Sequence, residues 1–154
     1  LLDTFPEKTW ILRFAPVYSK DFRINIERRS KIGSQFYRVG KGNSELSLCN
    51  IKNICITINA IMNGKVPPGA YNISDNIDYT YNDILNNQNA NWILPIPRFL
   101  VRASYLLGRM IGNIFLQENS IKLLTSNVYP SKKIRSYVSF SSTILGAIIY
   151  LSVL

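Results

Sequence analysis

Two tyrosines in this chain precede a lysine by four positions: Tyr37–Lys41 in YRVGK and Tyr129–Lys133 in YPSKK. One turn of helix would bring such an ammonium beneath the phenol and lower its pKa, making a proton acceptor. Neither pair stands in a sequence that forms that turn. Gly40 and the β-like run around it argue against a helix at Tyr37, and Pro130 pushes Tyr129 out of the α region. Both read as chance spacings. The chain has no histidine, so Ser-His-Asp and Cys-His schemes lack their base. Nine carboxylates are scattered singly, with no pair standing out as a glycosidase dyad. No Walker loop and no G-x-G-x-x-G turn is present. GKGN at 40–43 is a glycine turn without the spacing that wraps phosphates, and it opens no evident helix. Cys49 and Cys55 have neither CxxC spacing nor a histidine partner, so no metal site is expected. Both fall in apolar surroundings and read as small hydrophobes in a reducing, cytoplasmic setting.

The formal net charge is +9, with basic residues densest between Lys20 and Lys41. That patch is either a solvated face or a site for a phosphate, a nucleic acid or an anionic membrane. The chain opens on Leu with no initiator Met and no signal-peptide pattern, which leads us to expect a piece of a longer polypeptide. TILGAIIYLSVL at 143–154 is strongly apolar but short of the ~20 residues that span a bilayer. A buried or half-buried terminal helix is expected there, with a membrane anchor as the alternative.

The intervening elements alternate. WILRFAPVY at 10–18 reads as one buried parallel strand with Pro16 at its exit. FRINIERRSKIG looks helical and ends on Gly33 as a C′ residue. FYRV and ELSLC suggest two short strands around the GKGN turn. Ile51, Ile54, Cys55, Ile58, Ile61 and Met62 recur on one helical face, with Asn50 as cap and Asn63-Gly64 as stop. VPPG breaks the chain, AYNIS is a strand, and Thr80 to Asp83 has capping-box spacing. WILPIP is extended; a helix from Arg98 places Leu100, Ala103, Leu107 and Ile111 on one face and stops at Gly112. Shorter helices are expected over 120–126, 131–137 and 142–154. Strands alternating with helices make the class α/β.

The order of these pieces resembles the C-terminal half of extended short-chain dehydrogenases/reductases, the NAD-dependent nucleotide-sugar epimerases, dehydratases and reductases. Leu12-Arg13-Phe14-Ala15-Pro16-Val17-Tyr18-Ser19 is similar to that family's LR-x-x-x-V-Y-G strand. GAYNISD at 69–75 resembles its G-x-Y-N-x-x-D strand, and KLLTSNVYPSKKI its late Tyr-Ser-like turn followed by Lys-Ile. The similarity runs from Trp10 to Leu154. It departs where the family often has Asn before V-Y-G (here Pro16), at its final Gly (here Ser19), and where a diphosphate-binding Arg would fall near Glu45.

The resemblance implies a Rossmann-like α/β fold. Residues 1–154 would form a single partial domain, the end of the Rossmann sheet plus the substrate-binding lobe, without the N-terminal cofactor half. It also implies an oxidoreductase or isomerase parent that binds NAD or NADP. The glycine-rich fingerprint and the Tyr-x-x-x-Lys pair lie upstream of the LR strand in that family, so this chain alone is expected to bind no dinucleotide and to be inactive. The expected substrate-binding residues are Tyr18, Asn25, Arg38 and Lys41, the last two as counter-charges to a diphosphate. Asn72, Ser74 and Asp75 are expected to shape a lobe boundary. The expected partners are a nucleotide sugar, the missing half and, in the full-length form, a second copy; nucleic acid is disfavoured. The competing reading is a non-catalytic basic module that binds RNA or a membrane surface, against which stands the lack of regular aromatic interleaving among the basic residues.

Overall fold

The computed structural model describes residues 6–144. After a short 3₁₀ turn at Pro6–Lys8, the elements are β1 (Trp10–Phe14), β2 (Val17–Tyr18), α1 (Ile24–Ser30), β3 (Lys31–Ile32), β4 (Gln35–Val39), β5 (Glu45–Leu46) and β6 (Cys49–Asn50). They continue with α2 (Ile51–Met62), β7 (Gly69–Ile73), β8 (Tyr79–Thr80), α3 (Tyr81–Asn87), β9 (Ile93–Ile96), α4 (Arg98–Met110), α5 (Ile114–Leu124) and α6 (Lys132–Arg135). The chain forms two compact units. One gathers residues 1–25, 47–78 and 129–154, and the other residues 26–46 and 79–128. The expected terminal helix over 142–154 lies mostly outside the described residues.

In the discontinuous unit, β1 and β7 pair in parallel from Trp10↔Gly69 to Phe14↔Ile73, and β2 pairs in parallel with β6. The expected single strand over 10–18 is thus two strands that change partner at Pro16. Ala15 still donates to the Ile73 carbonyl, whereas Pro16, with no N–H, only accepts, from Cys49. The expectation that this strand is buried fails at its end, where Arg13 and Phe14 are exposed. The core beside it contains Ala15, Cys49, Val66, Tyr71, Ile73, Ile134, Val138 and Phe140.

Helix α2 has the bounds that its caps dictate. The Asn50 side chain accepts from the Lys52 N–H at 3.0 Å, and Gly64 takes a positive φ of 68° just past the end. Its buried face, however, takes in only one edge of the apolar stripe, Ile54 and Ile61, which pack half-buried against the core. Asn53, Thr57 and Ala60 point inward, while Ile51, Cys55, Ile58 and Met62 are exposed. Cys55 is therefore not the buried hydrophobe expected. Cys49 is, and burial together with the Asp75 carboxylate pushes its thiol pKa up to about 12.

The inward Asn53 serves a buried acid. Asp75, 2% exposed, accepts from the Tyr18 hydroxyl at 2.6 Å, the Asn50 N–H at 2.7 Å and Asn53 Nδ2 at 2.8 Å. Neighbouring polar groups bind the return segment: Ser74 Oγ donates to the Tyr129 carbonyl and meets Ser131 Oγ at 2.9 Å, and Asn72 donates to the Pro130 carbonyl.

In the second unit β3, β4 and β9 form one sheet, β4 pairing antiparallel with β3 and parallel with β9. Gly33, expected to end a helix, instead turns the β3–β4 hairpin with a φ of 60°. GKGN joins β4 to β5 without pairing them, since β5 pairs with β8. The capping box of α3 is complete: Thr80 N–H donates to Asp83 Oδ2 at 2.8 Å, and Thr80 Oγ1 accepts from the Asp83 N–H. Helix α4 starts at Arg98 and turns at Gly112 as expected, but its predicted core face is exposed; Val101 and Gly108 are buried instead. A Cβ on Gly108 would stand 2.8 Å from Leu116 Cβ, so α5 packs against α4 there. The helix expected over 120–126 is α5, which begins earlier, and the one expected over 131–137 shortens to α6.

Asp75→Ala removes the acceptor of three hydrogen bonds. We expect a loss of about 3 kcal/mol in stability, read as a lowered urea midpoint with the slope unchanged.

Candidate functional site

The second unit contains a cleft of about 390 Å³, within the size range of small-molecule sites. It is lined by the turn Gly40-Lys41-Gly42-Asn43-Ser44, by Arg98 at the start of α4, and by Leu124 and Ser126 just beyond α5. The path of the turn depends on its glycines. Gly40 and Gly42 take positive φ values of 58° and 72°, which cost a residue with a Cβ. A Cβ on Gly40 would stand 3.1 Å from Arg98 Cγ; one on Gly42 would stand 2.4 Å from Asn82 Oδ1 and 2.6 Å from Arg38 Cδ. Each glycine therefore leaves room for an arginine stem.

The turn is tied down on both sides. Gly40 N–H donates to the Ile96 carbonyl, extending the β4–β9 ladder by one bond, and Asn82 Nδ2 donates to the Lys41 carbonyl at 3.0 Å. Arg98 reaches Ser44 Oγ and the Leu124 carbonyl only at 3.4 Å each. Lys41 and Arg98 are exposed at the mouth, with the hydroxyls of Ser44 and Ser126 beside them. Helix α4 enters from Pro97 without a side-chain cap, so the positive end of its dipole adds to the two cations. The arrangement suits an anion with several acceptor oxygens.

Of the four residues expected to bind substrate, Lys41 belongs to this turn and Arg38 to the end of β4 that leads into it. Lys41 lines the cleft; Arg38 lies beneath Gly42, its Nη1 3.4 Å from Asn82 Oδ1 and its buried Nε without a partner. Tyr18 and Asn25 belong to the other unit, with their polar ends engaged internally. The Tyr18 hydroxyl donates to Asp75, and Asn25 Nδ2 donates to the Val17 carbonyl at 2.8 Å. Arg98, Ser44 and Ser126 were not singled out by the sequence reading. The available signal was the Pro97-Arg98 step, which puts a cation at the head of a helix directly after a strand.

Neither Tyr-to-Lys pair forms a proton acceptor. Tyr37 is buried, and burial, with Tyr81 adding and Arg29 opposing, raises its pKa to about 12. Lys133 sits 4.5 Å over the Tyr71 ring and donates to the Ala70 carbonyl, not beneath Tyr129. The helices that follow strands at Asn50 and Thr80 each have one first-turn N–H taken by the cap side chain, that of Lys52 and that of Asp83, and no glycine at the turn. No step through NAD is assigned to them.

No protein-family model and no curated protein sequence matches the chain. Solved structures do. UDP-N-acetylglucosamine 4-epimerase from Bacillus cereus superposes with a TM-score of 0.58 at 15% identity, over 98% of this chain and 49% of the enzyme. The fold is that of the C-terminal half of an extended short-chain dehydrogenase/reductase. The dTDP-glucose 4,6-dehydratase from Bacillus anthracis, solved in complex with NAD, matches with a TM-score of 0.55 at 11% identity, over 98% of this chain and 46% of the enzyme. A dTDP-glucose 4,6-dehydratase from Streptomyces venezuelae matches with a TM-score of 0.55 at 14% identity, over 98% and 45%. The chain thus spans about half the length of these relatives in fold. Among the described residues, no helix is long and apolar enough to cross a membrane.

Two outcomes are expected. Gly42→Ala should cost about 1–3 kcal/mol, more than Gly33→Ala, whose added Cβ meets nothing within 4 Å; urea midpoints of the two variants give the comparison. The second concerns alkaline pH. The fold favours the neutral Tyr37 phenol, so its contribution is complete below the ordinary tyrosine pKa of 10.0 and is lost as pH rises through about 12. Tyr37→Phe should flatten the fall in urea midpoint over that window.

Proposed function

We propose that this chain is the nucleotide-sugar-binding half of an NAD(P)-dependent epimerase, dehydratase or reductase whose cofactor half is a separate stretch of polypeptide. The observation that carries the reading is the cleft at the glycine turn, where Lys41, Arg98 and the uncapped start of α4 converge with two serine hydroxyls. A nucleoside diphosphate has the matching chemistry, since its adjacent anionic phosphoryl groups take cations, hydroxyls and helix N–H groups together. The solved structures that share the fold are enzymes named for UDP- and dTDP-sugars.

In this reading Lys41 and Arg98 neutralise the diphosphate. Arg38 holds the turn from beneath, and Tyr18 and Asn25 act as positioning residues through their internal hydrogen bonds. Hydride transfer and the proton-accepting tyrosine belong to the other half. The parallel β1–β7 ladder supports a missing flank. Parallel sheets are normally covered on both faces, yet among the described residues each of these strands has one neighbour, and Phe14 is exposed. With only this half in hand, the chain is expected to bind the substrate without turning it over.

The test is thermal unfolding of the 154-residue chain with UDP-N-acetylglucosamine, dTDP-glucose, the free sugars and inorganic phosphate. The nucleotide sugars should raise Tm with concentration, as ligands of the folded state do, and the free sugars should not. Lys41→Ala and Arg98→Ala should each weaken binding by about tenfold, or ~1.4 kcal/mol. No shift with either nucleotide sugar, or an equal shift with phosphate alone, would count against the reading.

A further inference from the structure

Helix α4 leaves its broadest apolar surface in solvent. At ~100° per residue, Val101 and Gly108 fall on one seam, and both are buried. Phe99, Leu107 and Met110 lie on the far side, and Met110 is 84% exposed. Just past the Gly112 turn, in the first turn of α5, Ile114 and Phe115 are 69% and 75% exposed. The close approach at Gly108 holds the two helices together on other faces, so this surface is not their mutual contact.

One border of the apolar surface is cationic. Arg98, Arg102 and Arg109 fall within about 40° of one another around α4, and all three are exposed. From Arg98 to Gln117 the sequence holds no carboxylate. An exposed apolar face edged by arginines is the pattern of a helix that lies in the membrane interface, with its side chains among the acyl chains and its cations at the phosphates. The next acid along the chain, Glu118 on α5, is paired with Lys122 at 3.5 Å, so the border of the surface stays net cationic. Neither α4 nor α5 is long and apolar enough to span.

We propose that the exposed face of α4, together with Ile114 and Phe115, docks in the plane of an anionic lipid surface. The apolar side chains would enter the outer few ångströms of the bilayer, about 5–10 Å deep, while Arg102 and Arg109 pair with lipid phosphates. The proposal does not rest on the nucleotide-sugar reading and stands or falls separately from it.

Flotation of the whole chain with phosphatidylcholine vesicles, with and without phosphatidylglycerol, tests it. The chain should float with the anionic vesicles, less so at high salt. Met110→Asp combined with Phe115→Asp should lower binding at least tenfold while leaving the circular dichroism and urea midpoint unchanged. Arg102→Gln with Arg109→Gln should cost roughly fivefold per arginine on anionic vesicles and little on neutral ones. If the aspartate pair fails to fold, Phe115→Trp gives the readout: its emission should shift to the blue on vesicles and be quenched by brominated acyl chains. Failure of the wild-type chain to float would overturn the proposal. So would flotation of the folded aspartate variant at wild-type level, which would move the binding elsewhere, the apolar run at 143–154 included. A change of oligomeric state in that variant with vesicle binding intact would make the face a protein contact and overturn it too.

Discussion

The Asp75 carboxylate is the constraint on which the discontinuous unit depends. A carboxylate removed from water is costly unless donors replace the lost hydration, and here they come from Tyr18 on β2, from the Asn50 N–H at the head of α2 and from Asn53 on the helix itself. This explains an inward asparagine on a helix rich in isoleucine. Charge-assisted bonds of this length are directional, so they fix where α2 begins relative to β2 and to the end of β7. Polar residues in and just after β7 continue the same work, with Asn72 and Ser74 meeting the 129–131 segment. Small polar groups are gathered there to hold chain to chain.

The other unit is organised around backbone geometry. Two glycines with positive φ let the chain between β4 and β5 pass close over the stems of Arg38 and Arg98. The result is a cleft lined by the glycine turn, with Lys41 and Arg98 exposed beside it. The two units thus show two ways of placing polar groups: one buries a charge among donors, the other exposes cations on a rigid turn.

Local signals in the sequence were legible, and non-local ones were less so. The ends of α2, the capping box of α3 and the turn at Gly112 depend on a few adjacent residues, and each stands where the sequence puts it. The apolar stripes of α2 and α4 were equally plain, yet that of α4 is turned outward and that of α2 touches the core only along the edge at Ile54 and Ile61, because which face is covered depends on neighbours that periodicity does not specify. The same limit applies to pairing. GKGN looked like a hairpin turn, but β4 finds β9, more than fifty residues on. Lys41 and Arg38 could be named from charge. Arg98 could not, since only the parallel placement of β9 beside β4 brings the start of α4 to the glycine turn.

The seam between Ser74 and Ser131, together with the bond from Asn53 to the Ser142 carbonyl, bears on how the molecule is assembled. During synthesis, β1, β7 and α2 leave the ribosome well before the segment that closes over them, with residues 79–128 emerging in between. Loop closure over such a separation is slow compared with local turns. Until translation passes Ser142, the nascent chain must hold an uncovered parallel ladder and an unfinished polar seam, a state open to capture by chaperones or by other chains.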